Sequence, residues 1–113
     1  MDSPVRLTPA TAKVLRRFLE DLGQPRYGFD LMQSTGLASG TLYPILARLE
    51  RTGWIAGHQE DIDTATEGRP ARRFYTMSAD AVPTVRRALA EMAAEFTPPG
   101  LGWSEPAWEG GLT

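Results

Sequence analysis

Arg48, Arg51, Arg69, Arg72 and Arg73 fall in two clusters between Gly36 and Met77, and hydroxyls at Ser39, Thr41 and Tyr43 precede the first cluster. Guanidinium groups grip phosphate or a guanine edge through parallel hydrogen bonds, and hydroxyls bond to phosphates or bases. These residue types in this order suit contact with an anion or a nucleic acid. Bond-making chemistry lacks its parts. His58 is the sole histidine, there is no cysteine, and the serines have no evident base partner, so no nucleophilic triad emerges. Glu60, Asp61 and Asp63 lack the spacing of a calcium loop and read as a solvated charge cluster. The expectation is a protein that is not an enzyme and carries no metal or cofactor.

Overall charge does not decide the partner. The five arginines are matched by five acids in the same stretch (Glu50, Glu60, Asp61, Asp63 and Glu67), and the whole chain carries a formal charge of −2. Attraction to phosphate must therefore come from local placement. From Ser78 onward five acids face two bases, so that end is not built to meet phosphate. A chain of 113 residues, 42 % hydrophobic and 23 % charged, has the size and composition of one soluble domain. No apolar run approaches the roughly 18 residues of a membrane span, and the opening MDSPVRLTPA lacks signal-peptide character, so no membrane association and a cytoplasmic location are expected.

The elements that must position these groups follow from apolar spacing. Thr8 caps a first helix with Pro9 at its first position, and Val14, Leu15, Phe18, Leu19 and Leu22 form its stripe until Gly23 and Pro25 end it. A short second helix covers Tyr27 to Ser34, with Gly36 placed for a left-handed turn. Ser39 is expected to cap a third helix running to about Thr52, in which Leu42, Ile45, Leu46 and Leu49 share one face. Pro44 sits just past its first turn, or else the helix starts at Pro44. Alternation then predicts strands from Trp54 to Gln59 and Arg72 to Met77, joined by the polar DIDTATEGRPA with a flexible tip. Ser78 caps a fourth helix, which begins irregularly or one turn late because Pro83 stands five residues after Ser78 as Pro44 does after Ser39, and in which Val82, Val85, Leu89, Met92 and Phe96 form a seam. Three helices and a hairpin have a core without it, so the seam is assigned to a second copy of the chain.

The predicted fold class is mainly α with a small β-hairpin wing: a winged helix-turn-helix over residues 1–78 and a dimerisation helix over 79–96. Residues 97–113, rich in proline and glycine, form an irregular tail. Trp103 and Trp108 in that tail either dock on the domain or a partner or stay exposed.

Three stretches together resemble the PadR family of winged-helix transcriptional regulators. They are Tyr27-Gly28-Phe29-Asp30-Leu31, then Ser39-Gly40-Thr41-Leu42-Tyr43-Pro44-Ile45-Leu46-Ala47-Arg48-Leu49-Glu50 followed by Gly53-Trp54-Ile55, and finally Gly68-Arg69-Pro70-Ala71-Arg72-Arg73-Phe74-Tyr75. The resemblance implies a homodimeric regulator of double-stranded DNA, usually a repressor, on an inverted-repeat operator. It places the third helix in the major groove and the wing against phosphate or the minor groove. Many relatives release DNA when a small aromatic molecule binds near the dimer interface, so a small-molecule effector is a further implied partner. On the matching positions, Ser39, Gly40, Thr41, Tyr43, Pro44 and Arg48 belong to the recognition helix and Arg69, Pro70 and Arg72 to the wing. The single helix after the wing resembles the compact branch of the family. Acids in the wing oppose phosphate unless they turn away. A winged helix that binds protein instead of DNA is the alternative, separable by salt dependence.

Overall fold

The computed structural model describes residues 7–95. In chain order the elements are α1 (Pro9–Glu20), β1 (Arg26–Tyr27), α2 (Gly28–Thr35), α3 (Ser39–Arg51), β2 (Ile55–Gln59), α4 (Thr64–Glu67), β3 (Arg73–Met77), a 3-10 turn (Ala79–Ala81) and α5 (Val82–Glu95). Phe96 and the tail with Trp103 and Trp108 lie outside the described residues.

Thr8 caps α1 as its sequence suggests, its hydroxyl accepting the Thr11 amide at 3.1 Å, and Pro9 needs no amide partner at the first position. Val14, Leu15 and Phe18 go inward and meet Leu31 of α2 and Leu42, Ile45, Leu46 and Leu49 of α3. Each such side chain stabilises the fold by about 1.5–3 kcal/mol relative to exposure. At the end of α2, Gly36 takes φ 75° and donates its amide to the Met32 carbonyl at 2.9 Å. A residue with a Cβ adopts that left-handed turn at a cost, which explains the glycine.

Three expectations are corrected. Ser39 does not cap α3; Ala38 holds the cap position, no side chain caps the helix, and Ser39 is its first helical residue. Tyr27 is not helical but pairs with Phe74 in β1, giving a three-stranded antiparallel sheet in the order β1-β3-β2. The connection read as a loop contains a short helix: Asp63 accepts the Ala65 amide at 3.1 Å and the Thr66 hydroxyl at 2.8 Å, nucleating α4, which Gly68 ends. β2 and β3 pair from Ile55↔Met77 to Gln59↔Arg73. Ile55, Tyr75 and Met77 face the core from the sheet.

A fourth correction concerns α5. Ser78 caps no helix with its side chain; its hydroxyl donates to the Gly53 carbonyl at 3.0 Å. The α-helix starts one turn late, after the 3-10 turn, in line with the position of Pro83. Val85 is fully buried within the single chain and Ala81 nearly so, while Val82 and Leu89 are partly covered by the same core. Val85 therefore belongs to the chain's own core and not to an open seam. Among the described residues no helix is long and apolar enough to cross a membrane.

Candidate nucleic-acid interface

With its four apolar residues turned inward, α3 presents Ser39, Gly40, Thr41, Tyr43, Pro44, Ala47 and Arg51 on its exposed surface, with Arg48 half-buried. Pro44 lies inside an unbroken helix, where it lacks only the amide that would reach the Gly40 carbonyl. Because no side chain caps α3, the amides of Ser39 and Gly40 have no protein partner among the described residues. Such amides at a helix N-terminus attract anions. No described carboxylate pairs with Arg48 or Arg51.

Tyr43 is 44 % exposed, but its ring is seated. It lies against Gly28, the first residue of α2: a Cβ there would collide with the Tyr43 hydroxyl and come within 2.8 Å of Cζ and 3.1 Å of Cε1. Gly28 is buried and admits no larger residue without moving the tyrosine.

The wing is organised by a residue that the sequence assigns to a solvated cluster. Glu60 Oε1 accepts Arg69 Nη1 at 2.7 Å and the Arg72 amide at 2.8 Å, and Oε2 accepts Arg72 Nη2 at 3.2 Å and the Tyr27 hydroxyl at 3.3 Å. The Glu60 side chain is only 10 % exposed. Its hydrogen bond from Arg69, reinforced by the Arg72 amide and guanidinium, lowers its pKa from 4.5 to about 2. Arg69 also donates to the Pro70 carbonyl at 3.1 Å, and the Arg72 guanidinium lies 4.6 Å from the centre of the Tyr27 ring. Arg69, Pro70 and Arg72 are thus brought together, but around a carboxylate.

Nearby, Arg73 meets Glu50 of α3 at 2.6 Å, so the acid at the end of that helix is neutralised. The pair runs across Gly57 of β2, where a Cβ would collide with Arg73. His58 is an exposed residue that stacks on Phe74 at 5.1 Å and shares a 3.1 Å hydrogen bond with Thr76. Among the described residues no group of three His, Cys, Asp or Glu is placed to hold a metal ion.

One line of contacts joins the helix to the wing: Tyr43 rests on Gly28, its neighbour Tyr27 bonds to Glu60, and Glu60 holds Arg69 and Arg72. Sequence reasoning missed Glu60 because its partners sit 9, 12 and 33 residues away. The role of Gly28 was signalled only by its place in a recognisable run.

A family model described as the transcriptional regulator PadR-like family matches residues 17–80. Solved structures share the fold. A PadR-like transcription factor from Bacteroides fragilis is 18 % identical at a TM-score of 0.60, with 75 % of this chain and 81 % of that chain covered. BpsR of Bordetella bronchiseptica, whose DNA binding is regulated by 6-hydroxynicotinic acid, is 24 % identical at 0.59, covering 88 % and 70 %. Reduced AbfR of Staphylococcus epidermidis bound to DNA is 22 % identical at 0.59, covering 83 % and 62 %. No curated protein gives a significant sequence match.

Proposed function

The chain belongs to the PadR-like family of transcriptional regulators, and from that premise we propose that it is a sequence-specific DNA-binding repressor that acts as a homodimer on an inverted-repeat operator. The observation that carries this reading is the surface of α3. It offers the uncapped amides of Ser39 and Gly40, the hydroxyls of Thr41 and Tyr43, and Arg48 with no carboxylate partner, while the one acid on the helix, Glu50, is taken by Arg73. A helix entering a major groove by its N-terminus uses such groups on phosphate and base edges. Arg69, Pro70 and Arg72 accompany it from the wing. The half-buried Val82, Leu89 and Met92 on α5, with Phe96 beyond, contribute the dimer contact. A small planar aromatic molecule is the effector class, in line with BpsR.

Selection of bound fragments from the source genome, followed by footprinting, tests the reading. The expected outcome is an inverted repeat with half-sites about one helical turn apart, ~34–36 Å, and an affinity that falls steeply with salt. Recovery of no preferred sequence at low salt would refute it.

A further inference from the structure

Both cations that the wing would offer to a duplex are already engaged. Arg69 and Arg72 approach Glu60 at 2.7 and 3.2 Å, and the carboxylate receiving them is largely shielded from water. An arginine that leaves a carboxylate for a phosphate exchanges one anion for another. It gains much less than an arginine that was bare, because binding to DNA is driven by neutralising phosphates with unspent charge.

We propose that Glu60 sets the discrimination of the wing, holding Arg69 and Arg72 back from duplex of arbitrary sequence and yielding them only where α3 is seated in its operator. The inference rests on the DNA-binding reading above. Two features fit exchange better than a permanent brace. The arginine side chains are 37 % and 59 % exposed, so phosphate can reach them without unfolding the wing. Glu60 would not be stranded after releasing them, since it keeps the Arg72 amide at 2.8 Å and the Tyr27 hydroxyl at 3.3 Å. The carboxylate stays ionised at any physiological pH, so protonation does not relieve the competition. Tyr27 places the exchange beside the helix, because its neighbour Gly28 carries the ring of Tyr43. Random duplex offers phosphates but does not fix them opposite the wing; an operator gripped by α3 does.

Salt titration reads the difference. Wild type and E60Q are titrated by fluorescence anisotropy with the selected operator duplex and with random-sequence duplex of equal length. Each arginine freed for phosphate adds about 0.9 to the slope of log affinity against log salt, so two make a fourfold rise in salt cost on the order of tenfold more affinity. E60Q is expected to steepen the slope on random duplex by up to that amount, leave the operator slope nearly unchanged, and narrow the gap between the two affinities. In an R69A/R72A background the effect of E60Q should vanish, which separates release of these two arginines from mere loss of a negative charge. R69A/R72A alone should make the slope shallower on the operator more than on random duplex, a result that stands even if E60Q folds poorly. An unchanged random-duplex slope in folded E60Q, a steepening that survives in the R69A/R72A background, or equal losses on both duplexes in R69A/R72A would each overturn the proposal. Absence of any operator preference in the wild type would instead sink the DNA-binding reading itself.

Discussion

Gly28→Ala provides a sign test of how Tyr43 is held. Gly28 lies in the first turn of α2 and does not have a positive φ, so alanine suits its backbone and, with nothing in the way, should stabilise by about 0.4–1 kcal/mol. Tyr43 is in the way. The new methyl would overlap the hydroxyl and lie 2.8 Å from Cζ and 3.1 Å from Cε1, and overpacking of this kind costs about 1–3 kcal/mol. The ring is partly exposed and can swing outward, which puts the cost at the lower end. The expected result is net destabilisation of up to about 0.6 kcal/mol in the wild-type background and stabilisation of about 0.4–1 kcal/mol when Tyr43 is alanine. Tyr43→Phe should rescue only in part, since it removes the hydroxyl and leaves the two ring carbons. Urea denaturation with a constant m-value measures all four corners of the cycle. If Gly28→Ala has the same sign in both backgrounds, the tyrosine is not seated on Gly28 and the path from α3 to the wing loses its first step. Operator affinity provides a second reading: Gly28→Ala should weaken binding about as much as Tyr43→Ala, with little further loss in the double variant.

Other outcomes follow from the same contacts. The depressed pKa of Glu60 means that its stabilisation is complete above the unfolded value near 4.5 and is lost as pH falls toward about 2; the melting-temperature difference between wild type and E60Q should be flat above 4.5 and shrink below it. Val85→Ala should cost about 2 kcal/mol in urea denaturation, because the valine is fully buried within the single chain. Met92→Glu should instead shift sedimentation toward monomer and lower urea stability only by the concentration-dependent part that dimerisation contributes. Pro44→Ala restores a backbone bond worth about 0.5–1.5 kcal/mol but loosens the unfolded chain by about 0.4–1 kcal/mol, so unfolding stability should change by less than about 1 kcal/mol. A larger gain would show that Pro44 strains α3.

What was legible in the sequence was local in origin. Thr8-Pro9 starts α1, Gly36 ends α2, and the spacing Leu42, Ile45, Leu46, Leu49 fixes which side of α3 is buried, because each depends on residues within a turn or two. Ser39 and Ser78 show where local reasoning fails. Each has the residue type of a cap, yet Ser39 has moved one position into its helix and Ser78 spends its hydroxyl on Gly53, 25 residues earlier in the chain. Val85 shows a second failure. A seam of apolar residues has a period but no label for what covers it, and here Val85 completes the chain's own core.

Glu60 is the most instructive case, since its charge was read correctly and its effect was not. A count of acids against arginines treats each wing carboxylate as an equal opponent of phosphate. In the fold, Asp63 is occupied as the cap of α4, while Glu60 alone gathers Arg69, Arg72 and the Tyr27 hydroxyl. Long-range hydrogen bonds convert a uniform acidity into one placed competitor for the two arginines nearest the expected duplex. An acid in a DNA-facing wing therefore need not oppose binding as such. Positioned on the cations themselves, as proposed for Glu60, it would oppose binding that lacks the right sequence, which is the property a regulator requires.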